Sequence, residues 1–309
     1  MSEGNYVLIT PARNEAKYIG GVLRSVVCQT LHPRRWIIVS DGSTDETDSI
    51  VENTARAYPF ITLLRRDANG ARDFTSKVAA FNAGYAAVND LNFAYIGNLD
   101  ADVTFEPDYF ERLLEIFDKD PSLGVAGGAI CEKRNRHFAP RSENRSRSVA
   151  GAVQMFRRKC FENIGGFAPL RYGGEDTVAT VRARMHGWTT AEISSLLVYH
   201  HRIASTALGG GLCRARVREG QRDYSLGIHP LYALCKSARR LGYKPLVLGG
   251  LLTLAGYTWA AARGNAVEVP ADVRQYMREE ELQRLWKAAE NVFSGAISRM
   301  PSEWPGRFV

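Results

Sequence analysis

The chain has 309 residues, 45% of them hydrophobic and 24% charged, which excludes a disordered chain and leaves room for one large domain with an appendage. The formal net charge of +7 favours an anionic partner, but no zinc-finger, homeodomain or RNP pattern points to nucleic acid. The five cysteines are scattered and include no Cys-x-x-Cys pair, which argues against a disulfide framework or a zinc site and fits a reducing cytosol.

Apolar runs of strand length alternate with amphipathic segments of helix length over most of the chain. No basic start followed by an apolar run opens the sequence, so no signal peptide is predicted. The alternation predicts a doubly wound, largely parallel α/β sheet with right-handed crossovers. Thr44 or Asp45 is expected to cap the second helix. The predicted strands are residues 6–9, 36–40, 61–64, 93–99, 123–130, 153–156 and 191–199, and the predicted helices are residues 16–29, 45–58, 74–88, 107–117 and 177–186.

The fourth predicted strand ends in two carboxylates, Asp100 and Asp102, which are one residue apart. In an open α/β sheet the ligand crevice lies beyond the carboxyl ends of the strands. Two hard oxygen ligands at such a place can hold Mg²⁺ or Mn²⁺ against the phosphates of a substrate. An acidic turn is the alternative, because Asp is common in turns.

Further polar residues fall at other strand ends or in adjoining loops. Asp41 follows the second strand, Glu175 and Asp176 precede a helix, and His200 and His201 follow the last strand. Because the side chains of a strand alternate, His200 and His201 should point to opposite faces, so that one of them reaches the site. We expect these groups to meet at one edge of the sheet, as a metal-nucleotide enzyme requires.

The remaining segments are more ambiguous. Residues 132–147 contain six Lys and Arg and are predicted to form a loop over the site. Residues 245–262 carry no charge and suit three structures: a membrane span, an interfacial segment or a buried helix packed on the catalytic domain. Residues 272–293 are predicted to form an amphipathic helix with Trp286 on its apolar face.

Five short motifs occur in a characteristic order: residues 10–15 (TPARNE), 41–45 (DGSTD), 100–102 (DAD), 165–167 (GGF) and 175–176 (ED). Together they resemble family 2 inverting glycosyltransferases with the GT-A fold, as found in bacterial cell-surface polysaccharide assembly. Each motif alone is weak, and the ordered set is specific. The resemblance implies a Rossmann-like mixed α/β sheet with a C-terminal helical extension. The catalytic domain would cover residues 1–205, and the extension, which is expected to associate with a membrane, residues 206–309.

The resemblance assigns the nucleotide pocket to Thr10, Pro11, Glu15 and Asp41. Asp41 would accept a hydrogen bond from the base, as a carboxylate can from an imide N–H. The alternative for Asp41 is a turn and helix cap. Lys77 matches a basic position of the family and would neutralise the diphosphate, or is a solvated helix lysine.

The resemblance also implies a divalent metal, Mn²⁺ or Mg²⁺. Asp102 would bind the metal directly, and Asp100 would face the ribose or a metal-bound water. His200 would complete the ligand set, with His201 as the alternative. The metal would stabilise the departing nucleoside diphosphate.

Inversion needs a base on the acceptor side that removes a proton from the acceptor hydroxyl. Asp176 is the predicted base, and Glu175 is expected to position the acceptor or the base. The alternative is a helix N-terminus that simply favours acidic residues.

Arg218 and Arg222 lie where some relatives carry a Gln-x-x-Arg-Trp motif, and they are predicted to contact the diphosphate or lipid phosphates. The chain departs from that motif, with Asp223 and Tyr224 in place of the Trp ending. The departure favours transfer of one sugar at a time over processive polymer synthesis.

The predicted function is therefore transfer of a sugar, such as a hexose, from a nucleotide-sugar to an acceptor hydroxyl, with a lipid-linked glycan as the expected acceptor. The expected location is the cytoplasm or the inner face of the cell membrane. A non-catalytic nucleotide-sugar or carbohydrate-binding protein on the same scaffold is the alternative. An NAD-dependent oxidoreductase and a nucleotidyltransferase are disfavoured, because no glycine-rich phosphate loop follows the first strand.

Overall fold

A computed structural model describes residues 2–67, 74–134, 137–140, 148–202, 211–242 and 245–297. Nine strands form one sheet within these residues. They are β1 (Ser2–Ala12), β2 (Leu31–Asp41), β3 (Ile61–Arg66), β4 (Tyr95–Leu99), β5 (Val103–Phe105), β6 (Leu123–Arg134), β7 (His137–Pro140), β8 (Val153–Arg157) and β9 (Thr189–His200).

Helices flank the sheet and form the C-terminal part of the described chain. The predicted helices are confirmed, whereas α5 and α8 were not predicted. The helices are α1 (Ile19–Val27), α2 (Thr47–Ala55), α3 (Phe74–Ala86), α4 (Tyr109–Lys119), α5 (Arg158–Asn163), α6 (Glu175–Met185), α7 (Gly211–Ser225), α8 (Pro230–Arg239), α9 (Leu248–Ala262) and α10 (Ala271–Ile297), and a 3₁₀ turn (Arg240–Gly242) follows α8.

The strand order is β3-β2-β1-β4-β8-β6-β9-β5, and β7 pairs with β6. Strands β1 to β4 are mutually parallel where they pair, and so are β6 and β9. Strand β8 lies between β4 and β6 and is antiparallel to both. The mixed sheet implied by the resemblance is confirmed, and the largely parallel sheet expected from the alternation holds only for those two groups of strands.

The core occupies both faces of the sheet. In β1, Tyr6 and Leu8 pack into a cluster with α1 and α4, whereas Val7 and Ile9 pack into a second cluster with α3 and α5. All four side chains are fully buried. A strand covered on both faces has a continuous apolar sequence, which explains why residues 6–9 show no polar alternation.

The loop predicted for residues 132–147 is wrong where the structure describes them. Strand β6 continues to Arg134 and pairs antiparallel with β7, so that Lys133 faces Phe138. Glu132 of the same strand pairs with His200 of β9. Backbone pairing with β7 keeps Lys133 and Arg134 extended despite their charge. Residues 135–136 and 141–147 lie outside the described residues.

The uncharged segment after residue 245 forms α9, which packs against α7. The two helices approach so closely that a Cβ at Gly220 would lie 1.9 Å from the Thr253 carbonyl oxygen, and one at Gly256 would lie 2.1 Å from that of Val217. Helix α9 therefore packs on α7 along one side and is exposed along the other, so it is not the fully buried helix, and the interfacial segment stays open among the three structures that the sequence allowed. Among the described residues, no helix combines the length and the apolar character needed to cross a bilayer.

Helix α10 is amphipathic as predicted, but among its residues up to 291 the buried side chains are confined to Val273, Met277 and Glu281. Val273 and Met277 pack against Val178 and Val181 of α6. The prediction for Trp286 is wrong, because this side chain is 69% exposed and its indole N–H donates to Glu290 of the same helix. The apolar periodicity continues beyond the part of α10 that contacts α6 and α8.

The close contact of α7 and α9 makes Gly256 sensitive to any added side-chain atom. We expect Gly256→Ala to lower the free energy of unfolding by about 2 kcal/mol or more, because overpacking forces the helices apart. Gly20→Ala in α1 is the control, since a Cβ there meets no atom within 4 Å and alanine favours the helix. Urea denaturation of both variants measures the difference, and an unchanged Gly256→Ala would contradict this packing.

Glu281 of α10 makes stability depend on pH. It is buried, and burial raises the pKa of its carboxyl to about 7, although the His229 N–H donates to the carboxylate. Because the folded pKa exceeds the unfolded one, stability is highest below the unfolded pKa and falls as pH rises from about 4.5 to about 7.

We therefore expect Glu281→Gln to stabilise the protein by about 3 kcal/mol at about pH 8 and to leave its stability unchanged at about pH 4. Exposed Glu279 of the same helix supplies the control Glu279→Gln, which should show no such pH dependence. Urea denaturation at both pH values is the measurement, and equal stability of Glu281→Gln and the parent chain at the higher pH would refute the prediction.

Candidate functional site

A cleft of about 290 Å³ opens where β1, β2 and β4 end. Helices α6 and α7 contribute its other walls. It lies at the carboxyl edge of the parallel strands, where the sequence predicts the ligand. All of the predicted site residues except Thr10 line this cleft, namely Pro11, Glu15, Asp41, Lys77, Asp100, Asp102, Glu175, Asp176, His200, Arg218 and Arg222.

The loops after β1 and β2 are fastened to each other by hydrogen bonds. The N–H of Glu15 donates to Thr47 Oγ1 (2.8 Å), and the N–H of Ala16 donates to Asp45 Oδ2 (3.0 Å). Asp45 Oδ1 also accepts from the N–H of Thr47, the first residue of α2. The N-cap of α2 is Glu46, which makes no side-chain capping bond, and Asp45 supplies the hydrogen bond to the first turn from the position before it.

Asp41 at the end of β2 is buried and forms an ion pair with Arg66 at 2.8 Å. The two residues are direct partners in the β2–β3 register, which explains their contact. Thr10 is fully buried, and its hydroxyl accepts a hydrogen bond from the Trp36 indole (2.9 Å). Thr10 therefore supports the wall of the cleft from behind. The sequence analysis did not identify Arg66.

Asp100, Asp102 and His200 form a cluster whose ligand atoms all lie within 4.8 Å of one another. Val103 pairs with His200 between β5 and β9, and this register brings the preceding Asp102 to the histidine. The Nε2 atom of His200 is 3.3 Å from Asp102 Oδ1. Two carboxylate oxygens and an imidazole nitrogen are a donor set that Mn²⁺ and related divalent ions accept.

The charges in this cluster stabilise one another. Burial opposes ionisation of Asp102, but the hydrogen bond from His200 and the positive charge of Arg202 outweigh it and lower the pKa of the carboxyl. Burial alone would lower the pKa of His200. The hydrogen bond and the negative charge of Asp102 raise this pKa by more, so it lies above its usual value.

His201 points away from the cluster, as the strand alternation predicts. Its Nε2 atom lies 2.8 Å from the Thr104 hydroxyl, and its ring packs edge-on to Phe138. Burial lowers the pKa of this imidazole. His200, and not His201, therefore belongs to the candidate metal site.

Arg202 connects Glu15 to Asp102 across the cleft, although the sequence analysis gave it no role. It forms an ion pair with Glu15 and lies 3.3 Å from Asp102 Oδ2, and its guanidinium lies over the Tyr18 ring. An arginine directly after two histidines at a strand end is the sequence signal that could have identified it.

Lys77 of α3 links the metal-binding cluster to α6. Its Nζ lies 3.0 Å from Asp100 Oδ1 and 3.3 Å from Glu175 Oε1. Burial would lower the pKa of Lys77, but the two carboxylates outweigh burial and raise it. The pKa of Glu175 is raised, first by burial and then by Asp176, against the opposing effect of Lys77. The reading of Lys77 as a solvated lysine is therefore wrong.

Asp176 is held rigidly at the start of α6. Its Oδ2 accepts from the Gly151 N–H (2.9 Å) and its Oδ1 from the Thr177 N–H (2.7 Å). The helix follows Gly174, whose φ of +100° favours glycine. The buried amide of Gln154 donates to the Asp176 carbonyl at 3.2 Å, so the backbone of this residue is fixed as well.

Helix α7 contributes Arg218 and Arg222 to the cleft, and Glu219 between them is buried. Glu219 forms ion pairs with Arg216 and with Arg240, which follows α8. Burial would raise the pKa of Glu219, but the charges of Arg240, Arg222 and Arg216 lower it to about 2. The pKa of Arg218 is lowered by burial.

Sequence comparison places these residues in a known family. The sequence model described as "Glycosyl transferase family 2" matches residues 7–176, which is more than half of the chain. The chain belongs to this family. The match begins in β1 and ends at Asp176. It therefore includes the two carboxylates of the candidate metal site, Asp100 and Asp102, but not His200.

Curated relatives of this family 2 chain include large synthases. The chondroitin synthase of Pasteurella multocida (strain Pm70) is 32% identical over 167 residues, which are 51% of this chain and 16% of that synthase. The poly-beta-1,6-N-acetyl-D-glucosamine synthase of Staphylococcus aureus (strain COL) is 22% identical over 73% of this chain and 56% of its own length. The matched region is therefore only part of each of these relatives.

Solved structures of similar fold include a mannosyltransferase, PcManGT, from Pyrobaculum calidifontis in complex with GDP-Man and Mn²⁺. Its TM-score is 0.56 at 18% identity, with 95% of this chain and 88% of that chain covered. S. aureus TarS 1-349 in complex with UDP-GlcNAc has a TM-score of 0.52 at 14% identity over 90% and 78% of the two chains. These similarities establish the GT-A fold predicted for the family 2 chain.

Because Arg202 forms ion pairs with buried carboxylates, its removal should destabilise the protein more than removal of an exposed arginine. We expect Arg202→Met to lower the free energy of unfolding by about 3 kcal/mol, because it removes the positive charge from two buried carboxylates. Arg65 also contacts two carboxylates but is more than half exposed, so Arg65→Met should change stability little. Urea denaturation compares the two variants, and an equal effect of both would contradict the prediction.

Proposed function

We propose that the chain is an inverting, metal-dependent glycosyltransferase that moves a sugar from a nucleoside diphosphate sugar to an acceptor hydroxyl. The proposal rests mainly on the meeting of Asp100, Asp102 and His200 within 4.8 Å on the wall of a cleft that also holds Asp176. A metal-binding group on the donor side and a rigid carboxylate on the acceptor side are what an inverting transfer requires. We assign the catalytic domain to residues 1–205 and the helical extension to residues 206–309.

Asp102 and His200 would bind the metal, with Asp100 facing the ribose or a metal-bound water. Their oxygen and nitrogen atoms suit Mn²⁺ or Mg²⁺, and Mn²⁺ accompanies GDP-Man in the mannosyltransferase of similar fold. When bound, the ion supplies positive charge that stabilises the departing nucleoside diphosphate. Arg202 and Lys77 hold the two carboxylates in place from either side.

The nucleotide would lie along the edge formed by Pro11, Glu15 and Asp41, with Thr10 supporting them from behind. Asp41 would accept from an imide N–H of the base. Its contact with Arg66 fixes the orientation of the carboxylate. Arg218 and Arg222 of α7, together with Lys77, would face the diphosphate, where cations are most useful.

Asp176 would act as the base. The acceptor oxygen forms its bond to the anomeric carbon while the bond to the diphosphate breaks, and the acceptor proton passes to Asp176. The two N–H groups on Asp176 keep its carboxylate oriented during this step. Glu175, which is buried beside Lys77, would position the acceptor or the base.

The acceptor is proposed to be a lipid-linked glycan in the assembly of a cell-surface polysaccharide, with the chain peripheral to the inner face of the cell membrane. The names of the relatives, which include synthases of chondroitin and of poly-beta-1,6-N-acetyl-D-glucosamine, support a growing glycan as the acceptor. The net charge of +7 supports a position beside an anionic membrane surface.

A donor assay tests this function directly. Incubation of the chain with UDP-GlcNAc or GDP-mannose should release the nucleoside diphosphate from the matching donor, and only when Mn²⁺ or Mg²⁺ is present. Proton NMR of the transfer product should show the anomeric configuration opposite to that of the donor. Metal-dependent binding of a donor without any turnover would instead support the non-catalytic binding protein.

Two variants should separate the roles of the acidic residues. We expect Asp102→Asn to lower turnover by about 100-fold or more and to weaken Mn²⁺ binding, because it removes a ligand. Asp176→Asn should lower transfer by about 100-fold or more and preserve Mn²⁺-dependent donor binding, because it removes only the base.

Calorimetry measures both kinds of binding, and thermal unfolding confirms that each variant is folded. The control is Asp108→Asn, at an exposed position in an ion pair with Arg112. Full turnover by Asp102→Asn would refute the metal role, and full transfer by Asp176→Asn would refute the base.

A further inference from the structure

An apolar surface lies exposed on α8, α9 and the turn between them. Six large side chains on it are each at least half exposed, whereas such residues are ordinarily buried. We call this set the apolar surface. It consists of Leu231 and Leu234 of α8, Leu246, and Leu248, Leu251 and Trp259 of α9.

Helix α9 is apolar on both sides, which a helix facing water is not. Its small residues Gly249, Thr253 and Gly256 are buried, and the last two contact α7. Leu248, Leu251 and Trp259 lie on the opposite side, at a spacing that keeps them on one exposed stripe. Packing among the described residues therefore explains the small residues of α9 but not the large ones.

The turn after α8 joins the leucines of both helices into one surface. The N–H of Val247 donates to the Leu241 carbonyl at 2.9 Å. A Cβ at Gly250 of α9 would lie 2.8 Å from the Leu241 side chain and 2.3 Å from the Ser237 carbonyl oxygen of α8. The exposed apolar side chains thus belong to one continuous structural unit.

The charged residues of the chain segment that carries this surface are all basic. From residue 224 to residue 267 the sequence contains five Lys and Arg and no Asp or Glu. Arg239 is exposed on α8, and the guanidinium of Arg263 lies 4.5 Å from the centre of the Trp259 ring at the end of α9. Leucines with a tryptophan and bordering arginines are typical of helices that lie in the interface of an anionic membrane.

A second copy of the chain fits this surface poorly. In a twofold dimer the same patch meets itself, so the exposed Arg239 and Arg263 would approach their own copies, and the segment that carries the patch offers no acidic partner. Anionic lipid head groups instead complement the charge, and the acyl region accepts the leucines. The chemistry of the surface therefore selects a lipid surface over self-association.

We propose that the apolar surface docks on an anionic membrane, with α9 lying parallel to the bilayer and Leu248, Leu251 and Trp259 inserted among the head groups. Arg239 and Arg263 contact lipid phosphates at its border. The inserted stripe follows the length of α9, so the helix lies on the membrane without crossing it.

Docking in this orientation brings the cleft close to the bilayer. Helix α7 contacts α9 through Gly220 and Gly256, and its Arg218 and Arg222 line the cleft. The buried ion pair of Glu219 with Arg240 also connects α7 to the turn after α8. One helix layer, about 8–10 Å, therefore separates α9 from the cleft. This consequence, which rests on the proposed function, places a lipid-linked acceptor within reach, whereas docking itself does not depend on activity.

Vesicle co-sedimentation without detergent tests the docking. The full chain should bind vesicles of phosphatidylcholine with roughly 30% phosphatidylglycerol, should bind phosphatidylcholine alone far more weakly, and should be released by salt. We expect the double variant Leu248→Ser and Leu251→Ser to bind about tenfold or more weakly. Leu282→Ser, at an exposed leucine of α10, is the matched control and should bind as the parent chain does.

Arg239→Gln with Arg263→Gln should weaken binding to anionic vesicles and leave the weak binding to neutral ones unchanged. No binding to anionic vesicles, or an equal loss with Leu282→Ser, would overturn the proposal. So would a dimer in light scattering that the Leu248→Ser and Leu251→Ser variant abolishes. Because vesicle binding needs neither donor nor metal, its failure is distinguishable from failure of the glycosyl transfer, which the donor assay measures separately.

Discussion

The cleft depends on the regular alternation of positive and negative side chains across its wall. Arg202 contacts Glu15 and Asp102, His200 contacts Asp102 from the other side, and Lys77 then bridges Asp100 to Glu175. Without these cations, several carboxylates would crowd one partly buried cleft and repel one another. The alternation offsets this repulsion at close range, which favours the binding of a divalent ion or a diphosphate.

The mixed sheet makes this alternation possible. Strand β9 lies parallel to β6 and antiparallel to β5, and the β5 register delivers His200 and Arg202 to the same edge as Asp102. Strand β8 is antiparallel to β4, so the chain just before β8 returns to the same edge, where the Gly151 N–H meets Asp176. In a purely parallel sheet the start of β8, and with it Gly151, would lie at the opposite edge from Asp176.

Much of the fold and most of the cleft could be predicted from the sequence. Buried strands have apolar runs, and acidic residues directly after them have few structural reasons to be there, so Asp41, Asp100 and Asp102 could be identified. Arg202 was missed although it directly follows two histidines at a strand end, and Arg66 could not be identified, because an arginine at the end of a strand is as common on a surface as in a cleft. Only register and packing assign it a carboxylate partner.

Two other segments show where local pattern fails. The basic residues at the end of β6 have the composition of a loop, and the periodicity of the sequence does not reveal their pairing with β7. The uncharged α9 allowed three structures, because an apolar run of its length does not reveal what covers it. The glycines of α9 indicate a close helix–helix contact only once the structure shows that α7 packs against them. The roles assigned to the cleft residues remain predictions for the assays described above.

The backbone contact of α7 with α9 has a thermodynamic consequence. In both helices a glycine lies against a backbone carbonyl oxygen of the other helix, so the two backbones have little room to slide past each other. We therefore expect α7 and α9 to move as one unit. If donor binding displaces α7 through Arg218 and Arg222, the outer face of α9 shifts with it. Thermodynamic linkage then requires the effect to be reciprocal. If a lipid surface changes the affinity for the donor by some factor, the donor changes the affinity for the lipid surface by the same factor.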